Sequence, residues 1–448
     1  MKNIKFVFIS NYLNHHQIPF CNAMYELLGG SFAFIQTERM EEERIRMGWQ
    51  EKGEQPYLRF FYEEPQNCRE LIENCAVALF GGTDEESYIQ SRLEKKQPVI
   101  RYSERLYKTG QWKAVSPRGL KKKYYDHTRY RKQPVYLLCS GAYVPGDFHI
   151  VRAYPGKMLK WGYFPETKVY DVDKLMKKKG WSQSAMPELN LPSMEGATSR
   201  ETDCPSYLLW AARMIDWKHP ELPVKTAKYL KEKGCAFHLD MVGGGELEPE
   251  VRRLIAEYDV EDVVTLKGYC TPEEVRSLME RADIYLATSD RREGWGAVIN
   301  EAMNSGCAVV ADHMMGAVPY LIDHEENGMV YEDGREEMLF RMTERLARDR
   351  AFCRQLGKNA YRTISEEWNS ENAAKRLSAF CVAQGFLARE DVDRSCLDTV
   401  QELFVTEQTA PRMETVPCKE QNTFPPVGPC SLAPVISERK MFRLLTKK

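Results

Sequence analysis

Two α/β domains, each built on a parallel sheet and joined by a linker, are the fold class this sequence predicts. Three observations predict it. Short apolar runs alternate with helical periodicity over residues 1–165, and the alternation resumes at 205. Between them, 166–204 holds Lys177-Lys178-Lys179-Gly180 and then a stretch rich in Pro, Ser, Glu and Thr, poor in large apolar side chains. The 448 residues suffice for two or three domains with ample cores.

In the first domain the runs 4–10, 32–36, 76–80, 99–102 and 136–139 read as buried strands, with helical spacing over 17–28. Such alternation places helices on both faces of a parallel sheet. In the second, strands are expected at 207–212, 236–242, 263–266, 284–288 and 307–311. Helices intervene at about 221–234, 247–258, 273–281, 297–305 and 335–349. Two such domains leave a cleft between them, the usual home of a ligand. A further helix is expected within 366–388, marked by Trp368 and a helical pattern over 372–381. From 389 to 448 the pattern fails. Residues 406–437 are rich in Thr, Pro, Glu and Gln, and the whole tail reads as disordered.

Composition excludes several classes. With 43% hydrophobic and 29% charged residues and a net charge of −2, nothing favours nucleic-acid binding. No apolar run approaches the roughly 18 residues of a spanning helix. Residues 1–10 read as a first strand and not as a signal peptide. The thirteen cysteines are scattered without a C-x-x-C pair, which fits free thiols in a reducing cytoplasm and argues against zinc. No metal and no cofactor are expected.

The most informative stretch is Glu293-Gly294-Trp295-Gly296-Ala297-Val298-Ile299-Asn300-Glu301. It places one acid on a Gly-x-Gly turn and a second in the second turn of the helix that follows. A helix start among glycines offers unpaired N–H groups and a favourable dipole to a phosphate. The acids are suited to hydroxyl groups beside it. Upstream, Arg213 and Lys218 follow a strand end, where Arg as a fork and Lys as a point charge could clamp a diphosphate. Taken alone, an Arg and Lys this close are more often surface residues. Gly243-Gly244-Gly245 ends another strand and permits close backbone approach, or forms a plain turn. It is not G-x-G-x-x-G, which disfavours a dinucleotide oxidoreductase. Gly268-Tyr269 could set a ring beside a nucleobase, and Ser289 leads into the acidic motif.

In this order and spacing, residues 205–365 resemble the C-terminal domain of the family 4 retaining glycosyltransferases, which have the GT-B architecture. That likeness implies two Rossmann-like domains facing across a cleft, with a C-terminal helix crossing back to the first. The implied segments are 1–165 for the acceptor-side domain, 166–204 for the linker, 205–365 for the nucleotide-sugar domain, 366–388 for the crossing helix and 389–448 for the tail. It implies that Arg213 and Lys218 bind the donor diphosphate, that Glu293 contacts the donor sugar and that Glu301 holds the ribose hydroxyls. Gly294, Trp295, Gly296 and Ala297 would line sugar and phosphate through their backbone. Gly243, Gly244, Gly268, Tyr269 and Ser289 complete the implied donor site. His219-Pro220 departs from the family, which usually has Gly after the lysine.

The first domain matches less closely. Its first loop, 11–19, offers Asn14, His15 and His16 as acceptor contacts, or simply a cap and turn before the first helix. Glu104 follows a strand and could contact the acceptor, or be the buried partner of an arginine, which is the preferred reading. From Arg118 to Lys132, seven Lys or Arg interleave with Tyr124, Tyr125 and Tyr130. Such a stretch suits an anionic membrane face or a lipid-linked acceptor, or is a solvated basic surface.

The reaction so implied is metal-independent transfer of a sugar from a nucleotide-diphosphate donor to a carbohydrate or lipid-linked hydroxyl, with retention. It belongs to surface polysaccharide or glycolipid synthesis, in the cytoplasm or at the inner membrane face. A non-catalytic nucleotide-sugar-binding subunit is the alternative, and a GT-B nucleotide-sugar epimerase a more distant one.

Overall fold

The computed structural model describes residues 4–41, 55–110, 114, 116–180, 205–393 and 428–446. They form two compact units. One comprises Met1–Glu166 and Glu367–Lys440, the other Thr167–Glu366 and Met441–Thr446.

The first unit contains a parallel seven-stranded sheet. Its strands are β1 (Phe6–Ser10), β2 (Phe32–Gln36), β3 (Leu58–Phe60), β4 (Val77–Phe80), β5 (Val99–Ser103), β6 (Val135–Ser140) and β7 (Met158–Trp161), ordered β3-β2-β1-β4-β5-β6-β7. β1 is buried along its whole length, because helices cover both faces of a parallel sheet. Order reverses between β1 and β4, so the loops after these two strands diverge and open a crevice.

The second unit repeats the plan with six parallel strands. They are β8 (Ser206–Ala211), β9 (Phe237–Val242), β10 (Val264–Gly268), β11 (Ile284–Ala287), β12 (Ala308–Asp312) and β13 (Met329–Tyr331), ordered β10-β9-β8-β11-β12-β13. Here the reversal lies between β8 and β11. Trp210, Leu239, Leu286 and Val310 contribute to one contiguous core.

Every strand expected from the sequence is present. β3, β7 and β13 were not expected. β3 and β13 have three residues each, too few for periodicity to register. β7 carries Lys160 inside its apolar run, and that lysine is buried.

Two expectations about the connecting segments need correction. Residues 167–180 are docked on the second unit and do not behave as a linker. The helix Val172–Lys178 is capped by Asp171, whose Oδ1 accepts from the Lys174 N–H at 3.1 Å. The Lys179 ammonium donates to the Met279 and Ala282 carbonyls at 3.1 and 2.6 Å, closing the end of the helix Pro272–Arg281. The remainder, 181–204, lies outside the described residues.

The tail is ordered in two places. Arg389–Asp391 forms a single turn, and 428–446 returns to the sheet. Lys160 N–H donates to the Ser431 carbonyl at 2.8 Å, and the Cys430 and Ala433 N–H groups donate to Lys160 and Met158 at 2.9 Å. This antiparallel addition covers the open edge of β7, a stronger constraint than the segment's polar composition. The helix Glu438–Leu445 follows, with Met441 buried. Residues 394–427 lie outside the described residues.

The helix Ser370–Ala383 belongs to the first unit and packs on Ile18–Leu28. Asn369 caps its start, Oδ1 accepting from the Asn372 N–H at 2.8 Å.

Candidate functional site

Loops at the second unit's reversal point gather the expected donor residues. β8 runs into a loop carrying Arg213, then a 3-10 turn, Asp216–Lys218. The loop is held by the triple glycine after β9. Ala212 N–H donates to the Val242 carbonyl at 3.1 Å and Met214 N–H to Gly244 at 2.9 Å. Gly243 has φ +115°, and a Cβ there would lie 2.0 Å from the Ala212 carbonyl oxygen. Its close backbone approach is therefore to the Arg213 loop, a structural use of glycine. A Cβ on Gly244 would lie 2.9 Å from the Tyr269 ring. That ring is 77% exposed beside Gly268, whose φ is +67° and which has open space at its α-carbon.

The 3-10 turn ends at His219, in the left-handed region at φ +49°. Glycine is the residue that adopts this conformation without steric cost, so the departure from the family carries strain. Two contacts hold it. His219 Nδ1 lies 3.2 Å from Glu221 Oε1, and Nε2 lies 3.4 Å from Asp290 Oδ2. Hydrogen bonds to Asp290 and then Glu221 lift its pKa to about 10, so the ring is an imidazolium at neutral pH. Burial alone would raise the Asp290 carboxyl, but bonds from His219 and Arg292 outweigh it and hold that group well below the usual range. Arg292 also reaches Asp216 at 2.5 Å. Asp290 N–H donates to the Trp217 carbonyl at 2.9 Å, and the Thr288 hydroxyl to the Lys218 carbonyl at 2.6 Å. Sequence reading missed this seam. Single charged residues far apart in the chain give no signal until the β8 and β11 loops are adjacent.

Across the seam, Lys218 Nζ and Glu293 Oε2 form an ion pair, with the side chains 16% and 18% exposed. The two residues expected to serve diphosphate and sugar thus occupy one spot. Arg213 stands with its guanidinium 5.7 Å from the Trp217 ring centre, and Arg292 lies at the same distance from that ring.

Gly296, at φ +96°, turns the chain into the helix Ala297–Asn304 with no side chain capping its start. A Cβ on Gly296 would sit 2.8 Å from the Met315 methyl. Gly316 and Ala317 N–H groups buttress the turn by donating to Glu293 and Trp295 at 3.3 and 3.0 Å. Trp295 itself is fully buried, its indole N–H donating to Asn300 Oδ1 at 2.9 Å. Its side chain is core, and only its backbone is left to line a ligand. Ser289 is likewise buried.

Glu301 is half-buried in the second turn, and its carboxylate makes no hydrogen bond or ion pair among the described residues. Burial raises its carboxyl pKa, with Arg276 opposing. The site therefore combines a lysine held by a carboxylate, an uncapped helix start and a free carboxylate.

In the first unit, Asn14 Oδ1 accepts from the His16 and Gln17 N–H groups at 3.0 and 3.2 Å, the cap-and-turn reading. The His15 and His16 rings lie 3.8 Å apart. Burial, then the charge of His15, lowers His16 to about 3, so it is neutral. A crevice of about 290 Å³ opens beside Asn14 and His16. The arginine partner expected for Glu104 is not found among the described residues. Its carboxylate takes the Tyr163 hydroxyl at 2.5 Å and the Lys108 ammonium. Arg101 is instead paired with Glu86, and Arg105 with Asp147 and Glu438. No residue of the helix Pro117–Asp126 is buried, and Leu120, Tyr124 and Tyr125 are 42%, 53% and 47% exposed. No group of three or more His, Cys, Asp or Glu among the described residues is placed to hold a metal. None of the described helices is long and apolar enough to cross a membrane.

Residues 198–363 match the family model of the group 1 glycosyl transferases. The chain resembles the GT-B glycosyltransferases. Amylovoran biosynthesis glycosyltransferase AmsK of Erwinia amylovora is 29% identical over 179 residues, 39% of this chain and 44% of that one. "Putative colanic acid biosynthesis glycosyltransferase WcaL" of Escherichia coli is 26% identical over 185 residues, 40% and 45% respectively. The chain thus spans less than half the length of these relatives. Two solved structures share the fold at 13% identity, each covering 85% of this chain and all of the other. Anabaena Alr3699/HepE with UDP superposes with a TM-score of 0.60. The lipopolysaccharide outer core galactosyltransferase WaaB superposes with 0.59. Two Rossmann-like parallel sheets are the GT-B plan, as the resemblance implied.

Proposed function

We propose that the chain is a retaining glycosyltransferase that moves a sugar from a nucleoside-diphosphate donor to an acceptor hydroxyl in polysaccharide or glycolipid synthesis. One observation carries the reading. Lys218, Glu293, the uncapped start of Ala297–Asn304 and the unpartnered Glu301 meet at the reversal point of one parallel sheet.

The chemistry breaks the bond between the anomeric carbon and the diphosphate oxygen and forms one from that carbon to the acceptor oxygen. The acceptor proton passes to the departing phosphate, and attack on the same face preserves configuration. Negative charge accumulates on the diphosphate, where Arg213, Lys218 and the helix N–H groups stabilise it without a metal. Donor binding releases Lys218 from Glu293, whose carboxylate then grips sugar hydroxyls and favours oxocarbenium character at the ring. Glu301 takes the ribose diol, and Tyr269 lies by the base. That AmsK and WcaL are named for polysaccharide biosynthesis supports the pathway class.

The first unit receives the acceptor. Its basic, tyrosine-bearing helix Pro117–Asp126 contacts the anionic inner membrane face, with Leu120 and Tyr124 entering the headgroup layer. Binding to vesicles of anionic lipid should fall with Leu120→Ser/Tyr124→Ser and with added salt; salt-insensitive binding contradicts this.

A panel of nucleotide-sugars, with and without lipid-linked and soluble acceptors, tests the whole reading by nucleotide release. Transfer or slow hydrolysis that persists in EDTA is expected. Interconversion of free nucleotide-sugars would mark an epimerase, and binding without turnover a non-catalytic subunit.

A further inference from the structure

The first unit holds a cleft of about 580 Å³ at its own reversal point, floored by the ends of β4 and β5 and walled by the helix Pro117–Asp126. We propose that this cleft takes a neutral, hydroxyl-rich glycan, and that acceptors carrying a phosphate or carboxylate at that position are excluded. The proposal rests on the glycosyltransferase reading and specifies its acceptor.

The argument is about which charges are free. An anionic sugar needs a cation with open donors, and arginine is best matched to it. Arg101 is the arginine in the lining, 4% exposed, and its fork is closed on Glu86 by two bonds of 2.7 and 2.6 Å. Lys122 is engaged by Asp126 at 3.0 Å. Of the lining cations only Lys123 has no ion pair among the described residues, and burial lowers its pKa. His127 stays neutral, since burial and then Arg101 depress it.

The free acceptors outnumber it. Asp84 and Glu38 line the cleft without a hydrogen bond or ion pair on their carboxylates among the described residues. Glu104 adds a third carboxylate, already sharing its bonds with Lys108 and Tyr163. In all, five carboxylates face three cations. Such a lining repels a phosphate or uronate and accepts hydroxyl protons readily. Vicinal hydroxyls of a neutral sugar can bridge Asp84 and Lys123, satisfying both. Tyr102 and Tyr163 supply apolar ring surface for the sugar's C–H face.

The test uses the full chain saturated with UDP, with ligand-observed NMR of methyl glycosides of glucose, galactose and N-acetylglucosamine beside their uronate or 6-phosphate forms. Neutral glycosides should bind at least ~10-fold more tightly than the anionic ones, a gap that shrinks as salt screens the carboxylates. Asp84→Asn should weaken neutral binding about 10-fold and narrow the gap, since a charged acceptor becomes a neutral one. Equal or tighter binding of the anionic forms overturns the proposal. So does a neutral affinity that Asp84→Asn leaves unchanged, or no binding of any glycoside. Circular dichroism of the variant confirms that it folds. Acceptor-free hydrolysis of nucleotide-sugars reads the donor side separately. Selective neutral binding with no donor turnover upholds the cleft's specificity and overturns the transferase reading.

Discussion

The Lys218 ammonium and the Glu293 carboxylate are bonded to each other across the seam between the β8 and β11 loops. Each is the other's competitor. On the proposed reading, a diphosphate reaching Lys218 competes with Glu293 for the ammonium, and the sugar meets the carboxylate so released. Glu293→Gln should therefore tighten binding of a free nucleoside diphosphate by up to ~10-fold, while transfer falls by roughly 100-fold or more. Calorimetry with UDP and GDP beside a turnover assay checks both. Unchanged or weaker diphosphate binding in this variant would show that the carboxylate is no competitor.

His219 ties stability to alkaline pH. Its folded pKa, about 10, lies above the 6.5 of an unfolded histidine. A raised pKa contributes stability that is fully present below about 6.5 and is lost as pH rises through about 10. The contribution is on the order of 2–4 kcal/mol after allowance for solvent at this half-buried ring. Urea melts of wild type and His219→Gln should differ most near pH 6 and converge above pH 10. Curves that stay parallel across that range contradict a charged, bridging ring.

Gly243 and Gly268 both have positive φ, but only one is crowded. Gly243→Ala sets a methyl group against the Ala212 carbonyl and must push out the loop that carries Arg213. A loss of ~2–4 kcal/mol in stability and a marked drop in donor affinity are expected. Gly268→Ala, with open space, should cost only ~1 kcal/mol. Thermal melts compare the pair, and similar losses would argue against the crowding.

Glu301 can be tested through the ribose alone. Glu301→Ala should weaken UDP or GDP binding by ~10- to 100-fold while leaving the 2′-deoxy analogue little affected. Because burial holds the carboxyl above its ordinary range, wild-type affinity should decline as pH falls towards that raised value. Equal losses for ribose and deoxyribose nucleotides would remove the assigned contact.

What was legible in the sequence depended on repetition. β8 to β12 announced themselves because apolar runs recur between helical segments, and the Glu293–Glu301 spacing fell on a loop and the helix after it. What stayed hidden depended on distance. Nothing in Lys218-His219-Pro220 says that its histidine meets Asp290, 71 residues later by chain and 3.4 Å away in space. Trp295 read as part of a ligand-lining motif, and only packing reveals that its ring fills the core beside Asn300. The triple glycine was legible as a close approach, but not its target. Glu104 illustrates the same limit, since the neighbouring arginines are taken by partners on other elements.

The return of residues 430–433 to β7 has a consequence for how the chain is made. β7 leaves the ribosome roughly 270 residues before the segment that covers its edge. At roughly 5–20 residues per second, that interval is about 13–54 s. Throughout it the sheet shows a bare row of peptide groups to every other nascent chain, with Lys160 as its guard against pairing. A chain ending before 428 keeps that exposure permanently, and should aggregate with a lag that shortens with concentration. A soluble, monomeric truncation in light scattering would show that the edge needs no cover.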